Sequence, residues 1–179
     1  NVLTSEFIRK GPAYDMVLDA TDMKLKNNSV KCFYAINVFH HISFPTKFFE
    51  ELDRVLVIGG GCILIEPHLG FVSKLLTKTV HDDEYFDEHE KNWDSTQRNG
   101  PMENANQALA HNIFVRDKLL FEEKYGHKLK VIDKRYIING FRFICSGGLS
   151  FKQILPSFTM IFLRAIEVIL SPVPKFWSP

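Results

Sequence analysis

Pro45-Thr46-Lys47-Phe48-Phe49-Glu50-Glu51-Leu52-Asp53-Arg54-Val55-Leu56 stands between two short apolar runs, Cys32-Phe33-Tyr34-Ala35-Ile36 and Cys62-Ile63-Leu64-Ile65. Phe48, Phe49, Leu52, Val55 and Leu56 fall on one face at helical spacing, while Lys47, Glu50, Glu51, Asp53 and Arg54 fall on the other. Pro45 suits the first turn, and Gly59 to Gly61 are expected to stop the helix as a plain turn. A strand, a helix and a strand in this order make a parallel crossover, which sets the fold class as α/β.

Two further runs lie upstream, Val2-Leu3-Thr4-Ser5 and Met16-Val17-Leu18. Uninterrupted apolar runs of this length fit strands covered on both faces, as in a parallel sheet. Each of the four is followed by a polar residue: Glu6, Asp19, Asn37 and Glu66. Parallel strands bring these residues to one edge, and open α/β sheets bind ligands at the carboxyl edge where strand order reverses. The connections Phe7 to Tyr14 and Thr21 to Lys31 are shorter than a helical crossover, so only turns or a single helical turn fit there.

Downstream, the pattern predicts a helix from Leu69 to Val80 and a polar, acidic stretch from His81 to Glu103. That stretch is long for a connector and is expected to cover a site as a lid-like insertion, about 81–113. A helix from Val115 to Tyr125 and a strand from Leu129 to Ile138 follow. The apolar segment Phe151 to Leu170 carries Ser157, Arg164, Glu167 and Ser171 on one stripe, which makes it amphipathic rather than spanning. Packing on the domain is the expectation, with peripheral membrane contact as the alternative. The division is therefore 1–150 for the main domain and 151–179 for a C-terminal amphipathic helix and tail.

With 22 basic and 21 acidic side chains in 179 residues, no field of one sign draws the chain to nucleic acid. Cys32, Cys62 and Cys145 form no CxxC pair, and two lie in apolar runs, which favours reduced thiols and a cytoplasmic location. His81, Asp82, Asp83, Glu84, Glu88 and His89 include metal-ligand types, but their spacing matches no recognised pattern, so no metal is expected. Gly59-Gly60-Gly61 follows a helix and opens a strand, the reverse of a phosphate cradle. His40 and His41 follow the third run, where an imidazole could act as a base near neutral pH.

Asp19-Ala20 with Leu25 and Asn28-Ser29, then Ile36-Asn37-Val38-Phe39-His40-His41, Phe49 to Leu56, Gly59-Gly60 and Ile65-Glu66-Pro67 resemble, in order and spacing, the methyltransferase 11 type of class I S-adenosylmethionine-dependent methyltransferase. Asn106-Gln107-Ala108 and Ser146-Gly147-Gly148 resemble a bacterial subgroup associated with surface polysaccharide or lipid modification. The resemblance implies a Rossmann-like fold with a mostly parallel sheet and flanking helices. It further implies S-adenosyl-L-methionine as cofactor and methyl transfer to a small-molecule or glycan- or lipid-linked acceptor, in the cytoplasm or peripherally at the inner membrane. By position, Glu6 would hold the ribose hydroxyls, Asp19 and Ala20 the adenine, and Asn37 and Val38 the methionine channel. Glu66 would face the acceptor. Apart from the resemblance, the position of the two histidines after the third run would put His40 on the acceptor side and make His41 the catalytic base, the alternative being that one ring packs under the loop and the other caps the helix.

The family's acidic-Gly-x-Gly loop has no counterpart before Asn1, and Lys31 and Lys24 stand where the family carries aspartate and often proline. These departures lead to the expectation of an N-terminally truncated fold, incomplete by its first strand and helix, and of a fragment inactive alone. Two other readings compete. A nicotinamide-dependent oxidoreductase would use an acid at Glu6 equally well, and a non-catalytic remnant could serve as an interaction module.

Overall fold

The structure is a computed structural model, and it describes residues 2–7, 14–68, 84–95, 105–136, 142, 145–146 and 152–170. The chain divides into two compact units, Asn1–Glu66 with Asp83–Val131, and Pro67–Asp82 with Ile132–Pro179. The division departs from the single boundary expected at residue 150.

In the first unit the crossover forms as the pattern requires. β3 (Val30–Ile36) leads through a 3-10 turn (Phe39–His41) into α1 (Pro45–Val55) and then β4 (Leu56–Ile65), which pairs parallel to β3. α1 buries Phe48, Phe49, Leu52 and Val55. The rings of Phe48 and Phe49 and those of Phe39, Phe114, Phe121 and Tyr125 meet at centroid separations of 5.0–6.0 Å, in tilted and edge-to-face arrangements. Such geometry adds about 0.5–1.5 kcal/mol per pair to the burial of apolar area.

The glycine run does not end α1, which stops at Val55 with Leu56 already extended. It lies inside β4, where Val30 faces Leu56 but Cys32 faces Gly61, so Lys31 stands opposite the whole of 57–60 in a bulge. Gly59 has φ +78°, and a Cβ on Gly60 would lie 2.9 Å from the carbonyl oxygens of Lys31 and Val57. The bulge therefore demands glycine at both positions, one for conformation and one for space.

β1 (Ser5–Glu6) pairs parallel to β2 (Met16–Val17), with Glu6 facing Val17. This short ladder is held at its entry by Asp15, whose Oδ2 accepts from the N–H (2.7 Å) and hydroxyl (2.8 Å) of Thr4. β5 (Glu84–Tyr85) and β6 (Ala105–Asn106) make a third parallel pair. The one continuous sheet expected from the runs is thus, among the described residues, three two-stranded parallel ladders.

The β3–β4 ladder buries one face. Ala35 is buried and Phe33, Cys62 and Leu64 pack on the core, while Tyr34 (57% exposed), Ile36 and Ile63 look outward. The apolar runs promised cover on both faces; here the helices pack on one. The described parts of the expected lid-like stretch also sit in the core. Trp93, Ala105, Leu109 and Ile113 are buried there, and the Trp93 indole donates to Asp117 Oδ2 at 2.8 Å.

Chain downstream of β6 forms α2 (Leu109–His111), a π-helical turn (Asn112–Arg116) and α3 (Lys118–Tyr125). The helix expected from Val115 thus begins at Lys118, because the π turn occupies the residues before it. The strand expected from Leu129 finds no ladder partner over 129–136, where only Leu129 packs on the core.

The second unit contains α4 (Met160–Leu170), preceded by a 3-10 turn (Ser157–Thr159). No described helix is long and apolar enough to cross a membrane. The expected helix Leu69–Val80 and residues His81 to Asp83 lie outside the described residues.

Candidate functional site

β1 and β2 run in one direction, so Glu6, which closes β1, and Asp19, two residues past β2, leave from the same end of their ladder. Glu6 is half-buried. Its Oε1 accepts the N–H of Phe7 (2.9 Å), and its other oxygen makes no bond among the described residues. Asp19 Oδ1 accepts the N–H (2.8 Å) and hydroxyl (2.7 Å) of Thr21, a local turn that fixes the carboxylate, and Oδ2 makes no bond among the described residues. Ala20 follows, half-buried. Two oriented carboxylates with unused acceptor atoms suit a ligand rich in O–H and N–H donors.

The segment after Asp19 is gripped from α1. Glu51 Oε2 accepts the N–H of Met23 (2.6 Å), while Arg54 donates to the carbonyls of Met23 (2.7 Å) and Leu25 (2.7 Å) and to Asn27 Oδ1 (2.8 Å). Glu51 and Arg54 are also paired, at 2.7 and 2.8 Å. Arg54 and the Met23 N–H hold the Glu51 carboxyl below its ordinary range. These two residues looked like a solvated helix face by periodicity. Their i, i+3 spacing and opposite charge were the available signal.

At the other ladder, Ile36 faces Ile65, so Asn37 and Glu66 emerge side by side. Asn37 adopts the left-handed conformation (φ 51°) and donates its N–H to Ile65 O at 2.8 Å, turning the chain sharply off the strand. A short polar side chain tolerates that conformation where a branched one would not. Val38 is exposed beside it.

Glu66 does not face outward, as an acceptor-side residue would. Oε1 accepts the N–H groups of Val38 (3.1 Å) and Phe39 (2.8 Å), and Oε2 accepts the His40 N–H (3.2 Å) and lies 2.6 Å from His40 Nδ1. Its side chain is 4% exposed. The carboxylate caps the 3-10 turn from across the ladder, satisfying N–H groups that the turn cannot pair itself. His40 is 2% exposed and bound to Glu66, which withdraws it from the acceptor side as well. His41 is half-buried, with its ring 4.1 Å from that of His40.

Residues that the strand pattern could not reveal pack against this turn. β6 and α2 adjoin it. Asn106, fully buried, accepts the N–H groups of Asp87 (3.0 Å) and Ala108 (2.9 Å) and donates to Asp87 O (2.9 Å) and Glu90 (2.5 Å). Asn112, directly after α2, donates to Asp87 O at 2.9 Å, and its buried Oδ1 accepts no bond among the described residues. Asp94 supplies the missing cap of α1, accepting from the N–H (3.2 Å) and hydroxyl (2.6 Å) of Thr46.

Cys62 is no nucleophile, since burial pushes its thiol up to about 12. A groove of about 340 Å³ is lined by His89, Lys91, Arg116, Asp117 and Leu120. It contains none of the strand-end residues, and Arg116 in it is already paired with Asp117 at 2.6 and 2.8 Å. Among the described residues no group of three or more His, Cys, Asp or Glu could hold a metal ion.

Comparison with curated proteins and with solved structures found no match. A family model described as a methyltransferase domain matches residues 5–64, which run from the start of β1 almost to the end of β4 and take in Glu6, Asp19, Ala20, Asn37 and Val38. The match takes in the crossover, the two parallel ladders and the strand-end acids Glu6 and Asp19, so the stretch 5–64 is similar to a methyltransferase domain.

Proposed function

We propose that the protein transfers a methyl group from S-adenosyl-L-methionine to a small-molecule or glycan- or lipid-linked acceptor in the cytoplasm. The observation that carries this reading is the family match over the same stretch whose parallel strands lead to Glu6 and Asp19, each with an acceptor oxygen unused among the described residues. Glu6 would take the ribose hydroxyls. Asp19 would take the exocyclic amine of adenine, with the Ala20 N–H beside it, and Asn37 and Val38 would line the methionine side.

The cofactor supplies an already electrophilic methyl group, so the chain needs chiefly to position both partners and receive a proton. With the cofactor bound, the acceptor's lone pair would take the methyl carbon while the carbon–sulfur electron pair stayed with sulfur, and the chain's own part would be to hold the two in line. His41, at the turn beside the rim, is assigned the acceptor's proton.

Calorimetric titration of the whole gene product tests the reading. S-Adenosylhomocysteine should bind and NAD should not. Glu6→Ala should weaken binding by about 1.5–3 kcal/mol, the worth of hydrogen bonds to a charged acceptor. Binding of NAD alone would make the protein an oxidoreductase, and binding of neither would favour a non-catalytic interaction module.

A further inference from the structure

We infer that α4 and the turn before it form a docking surface for an anionic lipid bilayer. The inference stands apart from the methyl-transfer reading, because it rests on the second unit alone.

The helix is inverted relative to an ordinary surface helix. At 100° per residue, Ile161, Phe162, Ala165, Val168 and Ile169 occupy one arc, and Phe158 extends it by a turn. All six are exposed; Ile161, Phe162 and Ile169 show 75%, 68% and 74% of their surface. Opposite that arc lies Glu167, only 2% exposed. Its carboxylate accepts from the Arg142 N–H (3.0 Å) and from Arg142 Nε (2.5 Å). The amphipathic pattern that suggested an apolar face turned inward is thus reversed. The acid anchors the helix, and the apolar arc faces out.

Charge selects the occupant. Within 152–170 the charged side chains are Lys152, Arg164 and Glu167. The acid is buried and neutralised by Arg142, whereas Lys152 and Arg164 are exposed, with Arg164 at the flank of the apolar arc. An exposed apolar arc with a cation, Arg164, at its flank, a second, Lys152, exposed upstream and no exposed acid within 152–170 fits a helix lying in the plane of a bilayer interface. Its apolar face would sink about 5–10 Å toward the acyl chains while the cations meet lipid phosphates. Eleven residues are too few to span a bilayer, which restricts the contact to one leaflet.

Co-sedimentation of the full chain with vesicles tests the assignment. The chain should pellet with phosphatidylcholine vesicles containing phosphatidylglycerol, pellet less with phosphatidylcholine alone, and be released by raised salt. Phe162→Glu with Ile169→Glu should lower partitioning at least about tenfold. A second variant, Lys152→Gln with Arg164→Gln, alters only exposed charges. It should lower binding to the anionic vesicles by about fivefold per charge and remove most of the salt dependence. Failure to pellet with either vesicle, or parent-like binding by the charge variant, would overturn the inference. So would concentration-dependent self-association abolished by the apolar variant, since the surface would then serve a second copy of the chain.

Discussion

Glu66→Ala removes the acceptor for three backbone N–H groups and for the His40 ring. Val38 is exposed, so water can replace the carboxylate at its N–H. Phe39 and His40 are buried at 0% and 2% exposure, and water cannot reach them without opening the turn. Stranding a buried polar group costs about 1–3 kcal/mol. Counting Phe39 N–H and His40 Nδ1 fully and the weaker 3.2 Å bond lightly, the loss is about 3–5 kcal/mol, a large share of a domain's stability. Glu66→Gln keeps one oxygen but aims an amide donor at His40, so a loss of about 2 kcal/mol is expected. Urea unfolding followed by circular dichroism measures the total, and amide hydrogen exchange locates it. Faster exchange should be centred on Phe39 and His40. A change under about 0.5 kcal/mol for Glu66→Ala, or unaltered protection of those amides, would refute the capping role.

Other consequences follow from the same structure. Gly60→Ala should destabilise the chain by about 1–3 kcal/mol in a urea melt, because its Cβ meets two backbone carbonyls at 2.9 Å. Glu51 is held below its ordinary value of 4.5 by Arg54, so its pairing stabilises the fold above that value and is lost as pH falls through the lowered one. The urea midpoint should therefore drop on acidification below pH 4.5, and Glu51→Gln should flatten part of the drop. Alkylation of the native chain at pH 8, read by mass spectrometry, should modify exposed Cys32 well before Cys62, whose thiol titrates near 12.

The legible features were those that a period or a connection encodes. α1 announces itself through Phe48, Phe49, Leu52 and Val55, and the parallel pairing of β3 with β4 follows from the helix between them. What stayed hidden depends on direction. A carboxylate after a strand reads the same whether it points outward, as Asp19 Oδ2 is free to do, or back across 26 residues to His40, as Glu66 does. Periodicity likewise assigns α4 an apolar arc and a polar stripe but cannot say which is buried. Glu167 meets Arg142, 25 residues away, and reverses the expectation. The contacts of Trp93 and Asn106 were not legible either, since their partners Asp117 and Asp87 are joined to them only by the fold.

The proposed cofactor site at the strand ends is tested most directly by hydrogen–deuterium exchange of the whole gene product with and without saturating S-adenosylhomocysteine. The account predicts new protection at Glu6 and Phe7, at Asp19 and Ala20, and at Asn37 and Val38, with little change at the groove lined by His89 and Leu120. Protection confined to that groove, or none at the three strand ends despite binding, would contradict it.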